Sequence, residues 1–239
     1  MNVLTAAIKE QLKDVSVATI TTALFKRGLK NQLIQDVHLI GAQNQRMIGP
    51  AYTLRYMPAR EDLNQLEVFR NREHPQRKAV EECPADAVLV IDSRKDARAA
   101  SGGSILVTRL QMRGVAGIVT DGGFRDSPEI ATLAIPAYHH RTSPPTNLTL
   151  HQAIDINVPI GCGDAPVFPG DIIFGDQEGV VVIPAHLLKE VAREAFEMTA
   201  FEDFVTEKVK EGRTILGLYP ATDPKTPVEF DAWRKAHKR

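Results

Sequence analysis

Near the start of the chain, apolar residues recur at three- and four-residue steps at Val17, Ile20 and Leu24, and the pattern closes at Gly28; this predicts a helix ended by a glycine. The texture then changes. Val37-His-Leu-Ile-Gly and Arg46-Met-Ile-Gly-Pro-Ala-Tyr-Thr-Leu-Arg-Tyr are rich in branched and aromatic residues, and Gly41 and Gly49-Pro50 punctuate them, so both read as strands. Residues 60–72 are charged but carry Leu63, Leu66 and Phe69 at helical spacing, and a further segment through Val80 leads into Ala87-Val-Leu-Val-Ile-Asp, a buried strand.

From that strand the pattern is β-loop-α-β: a glycine-rich loop at 101–103, a helix from Ile105 to Arg113, then Val115-Ala-Gly-Ile-Val-Thr-Asp. A parallel pair with a right-handed crossover is the expected topology. After a short helix at Glu129 to Leu133, four strands alternate with turns and read as antiparallel: Ala137-Tyr-His-His, Val158-Pro-Ile-Gly, Asp171-Ile-Ile-Phe-Gly and Val180-Val-Val-Ile-Pro. A long helix from Ala185 to Lys210 follows. Residues 1–219 are expected to form one α/β domain, with N-terminal helices and that long C-terminal helix; 220–239, bearing Pro220, Pro224 and Pro227, read as a tail that wraps or docks.

Composition narrows the function. At 239 residues and 43% hydrophobic the chain can bury a full core, and 29 basic against 30 acidic residues leave no field that would hold phosphate backbones or an anionic membrane. Nucleic acid and membrane are therefore not expected partners. Lys9, Glu10 and Lys13 interrupt the apolar residues of the amino terminus, which argues against a secretory signal, and no stretch reaches the roughly 20 apolar residues of a bilayer span. Cys83 and Cys162 are too few and too far apart for a disulfide framework or a thiolate metal site, and read as small buried hydrophobes in a reducing cytoplasm.

Ligands of open α/β sheets gather beyond the carboxyl ends of the parallel strands. Two such ends carry chemistry. In Asp92-Ser-Arg-Lys-Asp-Ala-Arg-Ala-Ala-Ser-Gly-Gly-Ser, Gly102 and Gly103 let backbone amides approach a ligand, and the helix start favours an anion. Asp121-Gly-Gly-Phe-Arg-Asp follows the neighbouring strand. Arg125 can grip a carboxylate and a keto oxygen together, while Asp126 can hold a hard divalent cation, Mg²⁺ or Mn²⁺ rather than zinc, that polarises the carbonyl. The same residues also fit a surface ion pair or a helix cap.

Gly103-Ser-Ile-Leu-Val-Thr, Arg113-Gly-Val-Ala-Gly-Ile-Val-Thr-Asp-Gly-Gly-Phe-Arg-Asp and Pro169-Gly-Asp-Ile-Ile-Phe-Gly-Asp-Gln-Glu-Gly-Val-Val-Val-Ile-Pro together resemble the RraA-like family, which includes 4-hydroxy-4-methyl-2-oxoglutarate aldolases and the regulator of ribonuclease activity A. Ala79-Val-Glu-Glu-Cys-Pro-Ala-Asp-Ala-Val-Leu-Val-Ile is similar to its strand entry. The resemblance implies a swivelling β/β/α-type fold assembled as a homotrimer or dimer of trimers. It also implies a metal-dependent lyase that cleaves a small 2-oxo or hydroxy-oxo acid, by retro-aldol or β-decarboxylation, to release pyruvate. On that likeness Arg125 binds the pyruvyl group, Asp126 ligates the metal, the amides of Ser104, Ile105 and Leu106 receive the carboxylate, and Glu202 or Asp203 reaches a neighbouring subunit's site. One departure stands out. The aldolases carry an acid directly after the loop glycine, where this chain has Ser104; Asp96, Glu81 or a neighbour's carboxylate are the substitutes considered. The alternative is a non-catalytic binding protein of the ribonuclease-regulator type.

The remaining polar residues divide more evenly. Asp121 reads either as a partner orienting Arg125 or as a turn residue before Gly122. Gly170-Asp171 reads as a turn. His139, His140 and His151 have no companion ligand at helical spacing and read as solvated or capping residues. Arg70, Arg72, Arg77 and Lys78 read as a solvated face or the rim of a substrate entrance. No G-x-G-x-x-G fingerprint supports a nucleotide cofactor.

Overall fold

The computed structural model describes residues 4–41, 46–237 and 239. In chain order it runs α1 (Ala6–Gln11), α2 (Val17–Phe25), β1 (Leu33–Ile34), β2 (His38–Leu39) and the long β3 (Met47–Pro58); then a 3₁₀ turn at Leu66–Arg70, α3 (Pro75–Glu82), β4 (Val88–Asp92), β5 (Ala100–Gly102), α4 (Ser104–Met112), β6 (Gly117–Thr120), β7 (Gly123–Phe124) and α5 (Ser127–Ile130). The second half comprises β8 (Ala137–His139), β9 (Arg141–Thr142), a 3₁₀ turn at Asn147–Thr149, β10 (His151–Ile156), β11 (Ile160–Cys162), β12 (Ala165–Val167), β13 (Ile172–Asp176), β14 (Gly179–Ile183), α6 (Leu188–Lys210) and α7 (Lys225–His237).

The main sheet has the order β1-β14-β13-β3-β4-β6-β8-β2, with β10 also paired to β3. β3, β4, β6 and β8 run parallel, and α3, α4 and α5 make the crossovers between them. β4 buries both faces, which explains its unbroken apolar run: Leu89 and Ile91 pack toward α3 and α4, Val88 and Val90 toward Ile160 and Cys162. At the far side α1, α2 and α6 cover β13 and β14 through Ile20, Leu24, Phe174, Val181 and Val191.

Two expectations change and a third gains detail. The strand at 137–139 is parallel to β6, with Ile118 opposite Ala137, because the single turn of α5 is enough to return the chain in the same direction. The helical spacing at 63–69 yields only the 3₁₀ turn; Leu63 and Leu66 stay exposed, so no core face exists to stabilise a longer helix there. Beyond Pro220 the chain forms α7, whose Pro227 lies in the first turn, where a missing amide costs nothing. α7 packs on α6 through Phe201, Phe204, Phe230 and Trp233, with the Phe201–Phe230 rings 5.2 Å apart and nearly perpendicular.

Candidate functional site

β4 and β6 end side by side, Ile91 opposite Thr120, so the two glycine-bearing loops leave the sheet together. A short parallel ladder keeps them together: β5 pairs with β7, and the Arg125 amide donates to the Gly102 carbonyl at 3.1 Å. Beneath it, the hydroxyls of Ser93, Ser101 and Thr120 form a buried cluster, 2.6 Å between Ser101 and Thr120 and 2.7 Å between Ser93 and Ser101. A side chain at Gly122 would collide with two of them, its Cβ 2.6 Å from the Ser93 Cβ and 2.7 Å from the Ser101 Oγ.

Gly103 caps α4 at its amino end in an extended conformation. A Cβ there would lie 2.7 Å from the Asp126 Oδ2 and 2.8 Å from the Arg125 Cγ, so glycine is what lets the helix start meet the arginine-aspartate pair. Asp126 takes a left-handed conformation, φ 57°, as the residue before α5, and its carboxylate makes no capping bond to that helix. It turns instead toward α4, accepting from the Ser104 amide and hydroxyl, each at 3.3 Å. The Arg125 Nε lies 3.5 Å from its other oxygen, with both side chains about half exposed. Of the three amides expected to receive a carboxylate, that of Ser104 goes to Asp126, that of Leu106 goes to the Gly103 carbonyl at 3.0 Å, and that of Ile105 meets no acceptor among the described residues.

Gly102, Gly103, Ile105, Leu106, Arg125 and Asp126 line a cleft of about 290 Å³. Phe69 from the 3₁₀ turn at Leu66–Arg70, Gln76 and Arg77 from α3 and Asn147 from the 3₁₀ turn at Asn147–Thr149 also line it. Arg77 lies over the Phe69 ring, 4.3 Å from its centroid. Sequence reasoning had Arg77 only as part of a basic cluster, and missed Gln76 and Asn147 altogether.

Other candidates lie elsewhere. Asp121 is buried, and its carboxylate accepts from the amides of Ser93, Lys95 and Gly163 at 2.7, 3.1 and 3.2 Å, joining loops rather than orienting Arg125. Burial pushes its pKa up despite those bonds. Asp96 pairs with Arg98 at 2.8 Å, a hydrogen bond that holds it down at about 2, and Glu81 pairs with Arg109 at 2.8 Å, so neither stands free beside Ser104. Glu202 accepts from Thr19 at 3.1 Å, and Asp203 pairs with Arg239 at 2.6 Å. His151 is fully buried, stacked on Tyr56 at 5.4 Å, and burial lowers its pKa. His139 stacks on Phe124 and is held down to about 4, chiefly by burial, so these two histidines are packed rather than solvated. Both cysteines are buried and unpaired, and burial raises both thiols, Cys83 to about 12.

Three or more His, Cys, Asp or Glu side chains converge nowhere among the described residues. A cation in this cleft would therefore rest on the Asp126 carboxylate with the Ser104 hydroxyl close by, the other positions falling to water and ligand oxygens. Mg²⁺ and Mn²⁺ accept that donor set; a structural zinc site does not.

A parallel α/β sheet, flanked on both sides by antiparallel strands, carries an arginine-aspartate pair against a helix start at its strand ends. The chain belongs to the RraA-like family: the model described as Aldolase/RraA matches residues 16–182. A protein of Halalkalibacterium halodurans provisionally named 4-hydroxy-4-methyl-2-oxoglutarate aldolase is 31% identical over 161 residues, covering 67% of this chain and 70% of that one. Protein DlpA of Legionella pneumophila is 26% identical over 86% of this chain, which spans only 32% of its length. Among solved structures, RraAS2 of Streptomyces coelicolor, described as an unusual member of the RNase ES inhibitor RraA family, superposes with a TM-score of 0.73 at 28% identity, covering 84% of this chain and 96% of that one. No helix among the described residues is long and apolar enough to cross a membrane.

Proposed function

We propose that the chain is a divalent-metal-dependent lyase that cleaves a small 2-oxo acid and releases pyruvate. The observation that carries this reading is the meeting of Arg125 and Asp126 with the start of α4, which only a glycine at 103 permits. Arg125 supplies a forked donor for the carboxylate and keto oxygen of the 2-oxo acid, and the open Ile105 amide, at the positive end of α4, adds a second contact to the carboxylate. Asp126 would hold Mg²⁺ or Mn²⁺, which when bound supplies stabilisation of negative charge developing on the keto oxygen. The Ser104 hydroxyl, 3.3 Å from Asp126, orients water but cannot act as a carboxylate base. That divides the two candidate reactions. Loss of CO₂ from a 3-carboxy-2-oxo acid needs no base for the leaving group, whereas retro-aldol cleavage must remove a hydroxyl proton, a task left to a water held at Ser104 and Asp126. We further propose a cytoplasmic homotrimer or dimer of trimers in which Glu202 faces a neighbour's cleft; sedimentation equilibrium tests the assembly.

A lactate-dehydrogenase-coupled screen of oxaloacetate and 4-hydroxy-2-oxo acids with Mg²⁺ or Mn²⁺ is expected to detect pyruvate. Arg125→Ala and Asp126→Ala are each expected to lower the rate by about 10²-fold or more with an unchanged melting temperature. Absence of release from every substrate ends the lyase reading. Ser104 favours one alternative, a regulatory member of the family whose cleft binds an oxo acid without cleaving it; oxalate binding without turnover is its signature.

A further inference from the structure

Among the described residues β5 is an edge strand of its three-stranded ladder, paired on one side with β7. Carbonyls two residues apart along a strand face the same edge. That of Gly102 faces β7, where it accepts from the Arg125 amide, so those of Ala99 and Ser101 face the free edge. Side chains from three distant elements take both. The Ser101 carbonyl accepts from the Tyr56 hydroxyl of β3 and from the Gln76 Nε2 of α3, each at 2.8 Å, and the same Nε2 donates to the Tyr56 oxygen at 3.0 Å. The Ala99 carbonyl lies 3.3 Å from the His151 Nε2 of β10; a carbonyl only accepts, so that nitrogen carries the ring's proton. Tyr56 and His151 are stacked, 5.4 Å apart and 15° from parallel. All three side chains are at most 2% exposed, and Gln76, its amide nitrogen serving both bonds, has an Oε1 left without a partner.

Ser101 is thus held twice, its hydroxyl by Ser93 and Thr120 and its carbonyl by Tyr56 and Gln76. Gly102 and Gly103 come next, and at Gly103 the room for one methyl is already taken by Arg125 and Asp126. A small drift of β5 therefore alters how closely α4 meets that pair. Taking the oxo-acid reading of the cleft as given, we propose that Tyr56 and His151, neither of which lines the cleft, are positioning residues that fix the β5 carbonyls and through them the seat of Gly103 against Arg125 and Asp126. They act on the ligand at one remove, through the backbone of residues 99–103.

Tyr56→Phe keeps the ring on His151 and removes only the hydroxyl. In the full chain with Mg²⁺ it is expected to weaken oxalate binding by about tenfold, with a melting loss of about 5 °C or less. The double variant with Gly103→Ala makes the decisive comparison. The added methyl already removes the closeness that Tyr56 secures, so Tyr56→Phe on that background is expected to cost at most about twofold more. A tyrosine that only adds stability gives losses that multiply, and that result overturns the inference. Hydrogen exchange needs no ligand: amides of residues 99–106 are expected to exchange about fivefold faster in Tyr56→Phe while those of β13 and β14 are unchanged. Equal acceleration throughout, or none at 99–106, also overturns it. His151→Phe gives the same comparison at the Ala99 carbonyl if Tyr56→Phe does not fold. Non-multiplying losses without pyruvate release refute the lyase reading and leave the positioning role standing; pyruvate release with multiplying losses refutes the positioning role alone. If oxalate does not bind, the oxo-acid reading falls and the exchange comparison decides whether Tyr56 holds β5.

Discussion

Replacing Gly103 by alanine isolates the contact on which the cleft depends. The extended backbone at Gly103 is open to any residue, so the new methyl strains no dihedral. Its Cβ would fall 2.7 Å from the Asp126 Oδ2 and 2.8 Å from the Arg125 Cγ, both side-chain atoms, where ordinary contact begins near 3.4 Å. The two side chains must therefore retreat by about 0.7 Å while the backbone stays in place. Misplacement of catalytic groups by about 1 Å costs on the order of 10²-fold, so kcat/KM for pyruvate release is expected to fall by about 10- to 100-fold, with a parallel loss of oxalate affinity. Stability is expected to change by no more than about 1 kcal/mol, the difference between glycine and alanine at a helix cap, or about 2–4 °C in melting temperature at this chain length. Coupled kinetics, oxalate titration and thermal melting give the three readouts. Unaltered kinetics in a folded Gly103→Ala chain would refute the reasoning, since the pair would then not need its closeness to α4; a melting loss above about 10 °C would make the glycine an architectural requirement instead.

Asp121→Asn is expected to cost about 2–3 kcal/mol, read from the urea midpoint, because an amide NH₂ would face backbone donors that now share the second carboxylate oxygen. His139 stays neutral in the folded chain, its pKa near 4 against the usual 6.5, so the unfolded chain binds the proton more readily. Stability is therefore full above about pH 6.5 and declines as pH drops through the window to about 4, and His139→Gln is expected to flatten that part of a urea-midpoint profile. Phe204→Ala removes the centre of the aromatic cluster joining α6 and α7 and is expected to cost about 3–5 kcal/mol, with a matching shift in the emission of Trp233, the chain's single tryptophan.

The parts of the molecule legible in its sequence are those whose burial is uniform. β4 buries both faces, so its apolar run announces a central strand, and the glycine loop, α4 and the Arg125-Asp126 pair follow from their order along the chain. The direction of β8 was not legible, because it rests on one turn of helix at α5 that carries almost no periodicity. The three prolines read as a tail that wraps or docks, and it docks on α6; that it does so as a helix was not legible, since two prolines precede α7 and the third occupies its permissive first turn. Gln76 and Asn147 were invisible for a different reason. Neither belongs to an apolar pattern; one is followed by Arg77 and Lys78 in a charged stretch and is held by Tyr56 and Ser101 from distant parts of the chain, and the other bonds through its Oδ1 to the adjacent Thr146.

The hydroxyls of Ser93, Ser101 and Thr120 fasten together the ends of three strands, and with them the loop bearing Gly103 and the turn bearing Arg125. That half of the cleft must be inherited as a block, because altering one hydroxyl disturbs the other two. Other residues lining the cleft, Phe69, Arg77 and Asn147, come from a short turn, α3 and a second short turn, outside that hydroxyl cluster. A change confined to those three residues leaves the hydroxyl cluster, and the loops it fastens, in place.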